Sequence, residues 1–291
     1  MFEKIVLATD LSPAWDELVD CAAEFRLLGC TRIILTHVIT ATFFTGLTES
    51  LRAEAQAPLD QQKRRLVAQG FEVVTEMPLG LPAYSLNDVA CRHGADLIVV
   101  GSHGKSLWRE GVLGSFSNAV VHQATYPVLV LKTMVDETQK RGTCRLEATE
   151  MLRHILFPTD FSTIATRASE YLVALAKKGI GQVTLLNAME IPGEDAFPPG
   201  YQEFTEAAAR DLLEQEKQRL QNAGIPVVNE HLDSGHPIPA ILEILKTQDI
   251  SLIVMGTQGK GFVKEIFLGS VAHTITRLAP CLVLLIPAPR Q

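Results

Sequence analysis

Two glycine-rich stretches carry the residue types most suited to chemistry. Gly101-Ser102-His103-Gly104 is followed nine residues later by Gly114-Ser115, and Gly256-Thr257-Gln258-Gly259 by Gly269-Ser270 at the same spacing. Each follows a short apolar run, Leu97 to Val100 or Leu252 to Met255, and each precedes a segment able to form a helix. In a strand, glycine loop, helix layout the glycines let main chain approach a phosphate, and the unpaired amides of the helix start point at its charge. The spacing is neither the Walker pattern, which needs Gly-Lys-Ser/Thr as a unit, nor the dinucleotide fingerprint with its clustered glycines. A different nucleotide loop is implied.

An acidic residue precedes each loop, at the end of the first apolar run of its half. Thr9-Asp10-Leu11-Ser12 ends a first apolar run, and Thr159-Asp160-Phe161-Ser162 repeats it 150 positions later. Read from the residues alone, Asp10 and Asp160 fit capping of the following helix, a common use of Asp after a strand. His103 has a near-neutral pKa suited to acid–base work, but Gln258 stands in its place in the second loop, which argues against a shared essential role. The other histidines, His37, His122, His236 and His273 among them, show no metal-ligand spacing and read as solvated or hydrogen-bonded. Lys105 and Lys260 follow the second glycine of each loop, placed to attract phosphate or to be solvated.

The elements that position these residues come in the same order twice. The helical spacing of Trp15, Leu18, Val19, Ala22, Phe25 and Leu28 leads to a strand around Ile33 to Val38, matched by a helix over 165–178 and a strand over 183–188. A helix over 47–69, which Pro58 is expected to bend or break, matches one over 201–222. Strands starting at Gly70 and Gly224 follow, then Gly80-Leu81-Pro82 and Gly235-His236-Pro237, each opening a short helix. After the loops each half closes with an apolar strand, Val128 to Leu131 or Leu282 to Leu285. Five strands alternating with helices predict an α/β fold: two tandem doubly wound domains, each with a five-stranded parallel sheet flanked by helices. Their bounds read 1–133 and 151–291, with the polar stretch 134–150 as linker.

Composition narrows the function classes. With 26 Lys plus Arg against 33 Asp plus Glu and no basic run, a nucleic-acid partner has little electrostatic support. Five scattered cysteines form no Cys-x-x-Cys pair, which fits a reducing compartment. No apolar run is long enough to span a bilayer and the N-terminus has no signal-peptide pattern, so a cytoplasmic protein without a membrane partner is expected.

With this order in hand, the chain resembles a tandem universal stress protein of the ATP-binding branch, through the two Thr-Asp-x-Ser turns, the two Gly-x-x-Gly-(nine)-Gly-Ser loops and the closing strands. The resemblance implies the adenine nucleotide alpha hydrolase-like fold and a nucleotide at the carboxyl ends of the strands. It assigns the ribose hydroxyls to Asp10 and Asp160 and adenine to the main chain of Val38 and Ala188. The ribose and phosphates fall to Gly101, Gly104, Gly256 and Gly259, with phosphates on Gly114-Ser115 and Gly269-Ser270. Ser117 supplies a further hydroxyl where the second half has Ala272, and Ala188 replaces a bulkier residue, so the first site has the fuller set. It also implies ATP, ADP or AMP as ligand with Mg²⁺ on the phosphates, a nucleotide-dependent regulator of stress responses, and a pseudo-dimer formed when the two closing strands pair, with a homodimer as a larger assembly. Arg109-Glu110 and Lys264-Glu265 are charged pairs five residues past the glycine, yet no duplicated Asp or Glu in the loops fills the water-orienting role, so an enzyme is not the expectation and at most weak ATP hydrolysis is. A nucleotide-independent scaffold is the remaining alternative.

Overall fold

In the computed structural model the described residues are 1–12, 15, 19, 21–40, 45–102, 113–132, 134–136, 141–143, 151–189, 201–260 and 268–289. The chain divides into two units, Met1–Met151 with Pro289–Gln291, and Leu152–Ala288.

The first unit is built on β1 (Lys4–Ala8), β2 (Arg32–Thr36), β3 (Glu72–Glu76), β4 (Leu97–Gly101) and β5 (Val128–Leu131). All pair in parallel in the order β3-β2-β1-β4-β5. Ile5 to Ala8 and Leu97 to Gly101 are buried throughout, as strands covered on both faces require. Three helices connect them: α1 (Thr45–Ala68), α2 (Pro82–His93) and α3 (Ser115–Gln123). Before β2, Trp15 and Val19 are helical and buried, and Cys21–Arg26 forms a tighter 3-10 turn.

The expected break at Pro58 does not occur: α1 runs through it. The proline ring faces solvent while Ala55, Leu59, Gln62 and Leu66 form one buried stripe. An interior proline costs about 3 kcal/mol, whereas burying two leucines contributes roughly 1.5–3 kcal/mol each, so packing outweighs the lost hydrogen bond.

Two short antiparallel strands, β6 (Met134–Asp136) and β7 (Arg141–Thr143), lie within the stretch read as a linker. The second unit repeats the first plan with β8 (His154–Pro158), β9 (Gln182–Met189), β10 (Val227–Ser234), β11 (Leu252–Gly256) and β12 (Leu282–Ile286). Its order is β10-β9-β8-β11-β12, again all parallel. Its helices are α4 (Thr163–Ala176), α5 (Tyr201–Asn222), α6 (Pro237–Thr247) and α7 (Ser270–Leu278). In each sheet the direction of winding reverses between the first and fourth strands. A cleft opens at their carboxyl ends because the connections leave to opposite faces.

Candidate functional site

The Thr-Asp-x-Ser turns close the first strand of each unit in the same way. Thr9 Oγ1 accepts the Leu11 amide at 3.0 Å and Asp10 Oδ1 accepts the Ser12 amide at 2.9 Å. In the second unit Thr159 Oγ1 accepts from Phe161 at 3.1 Å and Asp160 Oδ1 from Ser162 at 3.0 Å. These bonds hold Leu11 and Phe161 in the left-handed region, at φ 59° and 57°. Thr9 Oγ1 also donates to the buried Gln62 of α1 at 2.9 Å, which ties the turn to the helix stripe.

The capping role read for the aspartates falls to another residue in the second unit. Ser162 is the N-cap of α4, its hydroxyl accepting from Ala165 at 3.2 Å. Asp160 therefore spends one oxygen on the turn and turns the other to the cleft, where Oδ2 accepts the Lys260 amide at 2.6 Å. Asp10 Oδ2 is buried and has no hydrogen-bond partner among the described residues.

The glycine loops leave the sheet across the switch point from these carboxylates. At the base of the first loop the Ser102 amide donates to Leu131 at 2.8 Å, and the Ser102 carbonyl accepts from Gly114 at 2.8 Å. Thr257 repeats both bonds, to Ile286 at 2.9 Å and from Gly269 at 2.7 Å. Gly114 and Gly269 are the N-caps of α3 and α7 and offer no side-chain cap. The first amides of both helices thus keep no intrahelical partner, and Ser115 and Ser270 stand exposed beside them. Such a helix start favours an anion.

Two glycines are required sterically. A Cβ on Gly256 would lie 2.7 Å from Ile164 Cγ2, and one on Gly259 would lie 2.5 Å from Asp160 Oδ2. The loop crosses the carboxylate so closely that only a hydrogen fits. Gly104, with His103, Lys105, Arg109, Glu110, Lys264 and Glu265, lies outside the described residues.

In the second unit these parts line one cavity of about 560 Å³. Leu186, Ile241 and Met255 give it an apolar wall, while Asp160, Lys260 and Ser270 supply polar groups. That size and mixture suit a drug-sized ligand with a flat apolar part and a charged end. Ala188 lines the cavity, and Val38 is buried at the matching place in the first unit. Asp160 is the one carboxylate on the wall among the described residues, and both its oxygens already accept main-chain amides. The wall therefore offers no second carboxylate to complete a metal site among the described residues.

Ser117 is buried, and its hydroxyl donates to the Gly101 carbonyl. Its proton is committed to holding α3 against β4, a bond Ala272 cannot make. Sequence reasoning gave no role to the hydroxyls of Thr9 and Thr159, or to Gln62 and Asn187. The 150-residue offset was the available signal for Asn187, because it pairs that residue with His37. Each donates to the carbonyl just before the aspartate, His37 Nδ1 to Thr9 at 2.9 Å and Asn187 Nδ2 to Thr159 at 2.7 Å.

Fold and cleft together define a tandem α/β protein whose halves each join a carboxylate turn to an uncapped helix start at the switch point of a five-stranded parallel sheet. Comparison with known proteins gives the class a family. The sequence model of the Universal stress protein family matches residues 1–132 and again 151–287, and the chain belongs to that family. Single-domain relatives align with about half of it. Universal stress protein MJ0577 of Methanocaldococcus jannaschii is 28% identical over 155 residues, 45% of this chain and 96% of the relative. A universal stress protein of Thermus aquaticus is 36% identical over 139 residues, 47% of this chain and 99% of the relative. The crystal structure of a universal stress protein from Archaeoglobus fulgidus matches end to end, covering 99% of both chains with a TM-score of 0.76 at 24% identity, and supports the fold.

Proposed function

We propose that this chain is an adenine-nucleotide-binding regulator of stress responses, acting in the cytoplasm, with one site in each half. The observation that carries the reading is the placement, on one cavity wall, of Asp160 and the uncapped start of α7 on opposite sides of the switch point. A nucleoside phosphate has matching parts. Its ribose hydroxyls donate to a carboxylate, its phosphates accept from the first amides of α7 and the Ser270 hydroxyl, and its base fills the space beside Leu186, Ala188 and Met255. Asp10, Val38, Gly101, Gly114 and Ser115 provide the same groups in the first half, and Ser117 shapes the loop beneath them.

Binding is favoured over turnover because no second carboxylate lines the described cavity to orient a water. Weak hydrolysis remains the enzymatic alternative, read as phosphate release that Asp10→Ala and Asp160→Ala abolish together. The test of binding is mass spectrometry of ligand released from purified protein, joined with the thermal shift on adding ATP, ADP or AMP. A co-purified adenine nucleotide or a shift that both substitutions remove supports the reading. No ligand and no shift at millimolar nucleotide would leave the scaffold reading in its place. For assembly, the proposal is that the two closing strands pair within one chain as a pseudo-dimer, with a homodimer of chains as the larger assembly, which light scattering on the intact protein measures.

A further inference from the structure

The contacts of His37 and Asn187 occur where each sheet opens into its cleft. In a parallel ladder, a residue facing its neighbour donates its amide to one residue there and accepts with its carbonyl from the residue two places further on. Thr9 donates its amide to the Thr36 carbonyl at 2.9 Å, and Thr159 donates to Leu186 at 2.8 Å. One step further, the Thr9 carbonyl would take the amide of Val38, and that of Thr159 the amide of Ala188. Neither main-chain bond forms. The imidazole of His37 takes the Thr9 carbonyl at 2.9 Å, and the amide side chain of Asn187 takes Thr159 at 2.7 Å. A carbonyl only accepts, so Nδ1 of His37 carries a proton there.

The two halves thus use different side chains for the same substitution at matching positions. Each satisfies a carbonyl the ladder would otherwise claim. On their outer edge the strands stay paired, with the His37 amide donating to Glu76 at 3.0 Å and Met189 accepting from Gly235 at 2.9 Å. Alternation along the strand then turns the amide and carbonyl of Val38 and Ala188 toward the cleft side. An amide and a carbonyl on one residue match the acceptor N1 and donor N6 of adenine, while guanine presents the reverse pair on that edge.

We propose that His37 and Asn187 are positioning residues for nucleotide recognition: by taking the Thr9 and Thr159 carbonyls, they release the main chain of Val38 and Ala188 to read the base and fix the turn that carries Asp10 and Asp160. This rests on the adenine-nucleotide reading. A leucine at either position lets the ladder close by one main-chain bond, so the site loses its reader while the fold keeps its bond count.

The test isolates the second site in the full chain with Asp10→Ala and measures ATP and GTP binding by calorimetry, together with the melting temperature. Asn187→Leu is expected to weaken ATP at least tenfold and move the ATP-to-GTP preference toward unity, with melting close to the parent. Asn187→His, which installs the first half's donor, restores both affinity and preference. Parental ATP affinity and preference in Asn187→Leu, or an Asn187→His variant as weak as Asn187→Leu, overturns the proposal. A parent that binds no ATP overturns the nucleotide reading and this inference with it. Should Asn187→Leu not fold, His37→Leu against His37→Asn in an Asp160→Ala chain decides the question in the same terms.

Discussion

Replacing Gly259 by alanine tests the central contact of the second site. The added Cβ meets Asp160 Oδ2 at 2.5 Å and Cγ at 3.5 Å, so the first distance is about 0.9 Å short of the 3.4 Å at which ordinary contact begins. The carboxylate is also fixed from below by the Ser162 amide at 3.0 Å, which resists a swing away from the loop. Relief by moving the loop lengthens the 2.6 Å bond from the Lys260 amide beyond hydrogen-bond range. A hydrogen bond to a charged group contributes about 1.5–3 kcal/mol, and exposure at Lys260 reduces this to about 1 kcal/mol, a fall of roughly 2–4 °C in melting. Binding suffers more, because the displaced oxygen no longer meets the ribose hydroxyls. A loss of one to two such bonds weakens ATP by roughly 10- to 100-fold. Calorimetry in an Asp10→Ala chain measures it, with Gly179→Ala as control, since Gly179 has a positive φ of 92° and nothing within 4 Å of its added Cβ. The control lowers melting and leaves ATP affinity alone. ATP affinity unchanged in Gly259→Ala, or reduced equally in Gly179→Ala, would refute the steric reasoning.

Three further outcomes follow from single groups. Burial, with Arg153 nearby, lowers the pKa of His154, which is bonded to Thr184 at 2.8 Å. The folded state therefore resists a proton that the unfolded state accepts near pH 6.5, so stability is full above that pH and falls as pH drops below it. Melting temperatures from pH 7.5 to 5 should show the fall, and His154→Gln should flatten it. Burial pushes the Cys30 thiol up to about 12, so at pH 8 a thiol reagent should label the exposed Cys91 and reach Cys30 only on unfolding, as peptide mass spectrometry would read. Ser117→Ala removes the bond to Gly101 and should lower the melting of the first unit by roughly 2–4 °C, about 1 kcal/mol. An unchanged melt would mean the hydroxyl does not hold α3 to β4.

The sequence by itself determined the duplication, the alternation of strand and helix, and the glycine spacing. Each of these is written in local periodicity or turn chemistry that recurs in the second half, 150 residues on for the aspartate turns and 155 for the glycine loops. It also placed Asp10 and Asp160 at the ends of their strands, but left their role between helix cap and ligand group. Only the tertiary structure showed Ser162, and not Asp160, as the cap in the second unit, and brought Lys260, 100 residues away, onto the second oxygen of Asp160. Pro58 shows a related limit: its local cost is legible, whereas the buried stripe that keeps α1 unbroken through it exists only once α1 lies on the sheet. The contacts of His37 and Asn187, each 28 residues from its carbonyl, depend on which strands are neighbours and where their ladder stops. Spacing along the chain reports periodicity and turns; it does not report strand order, and the site is made where strand order brings distant residues within hydrogen-bond reach.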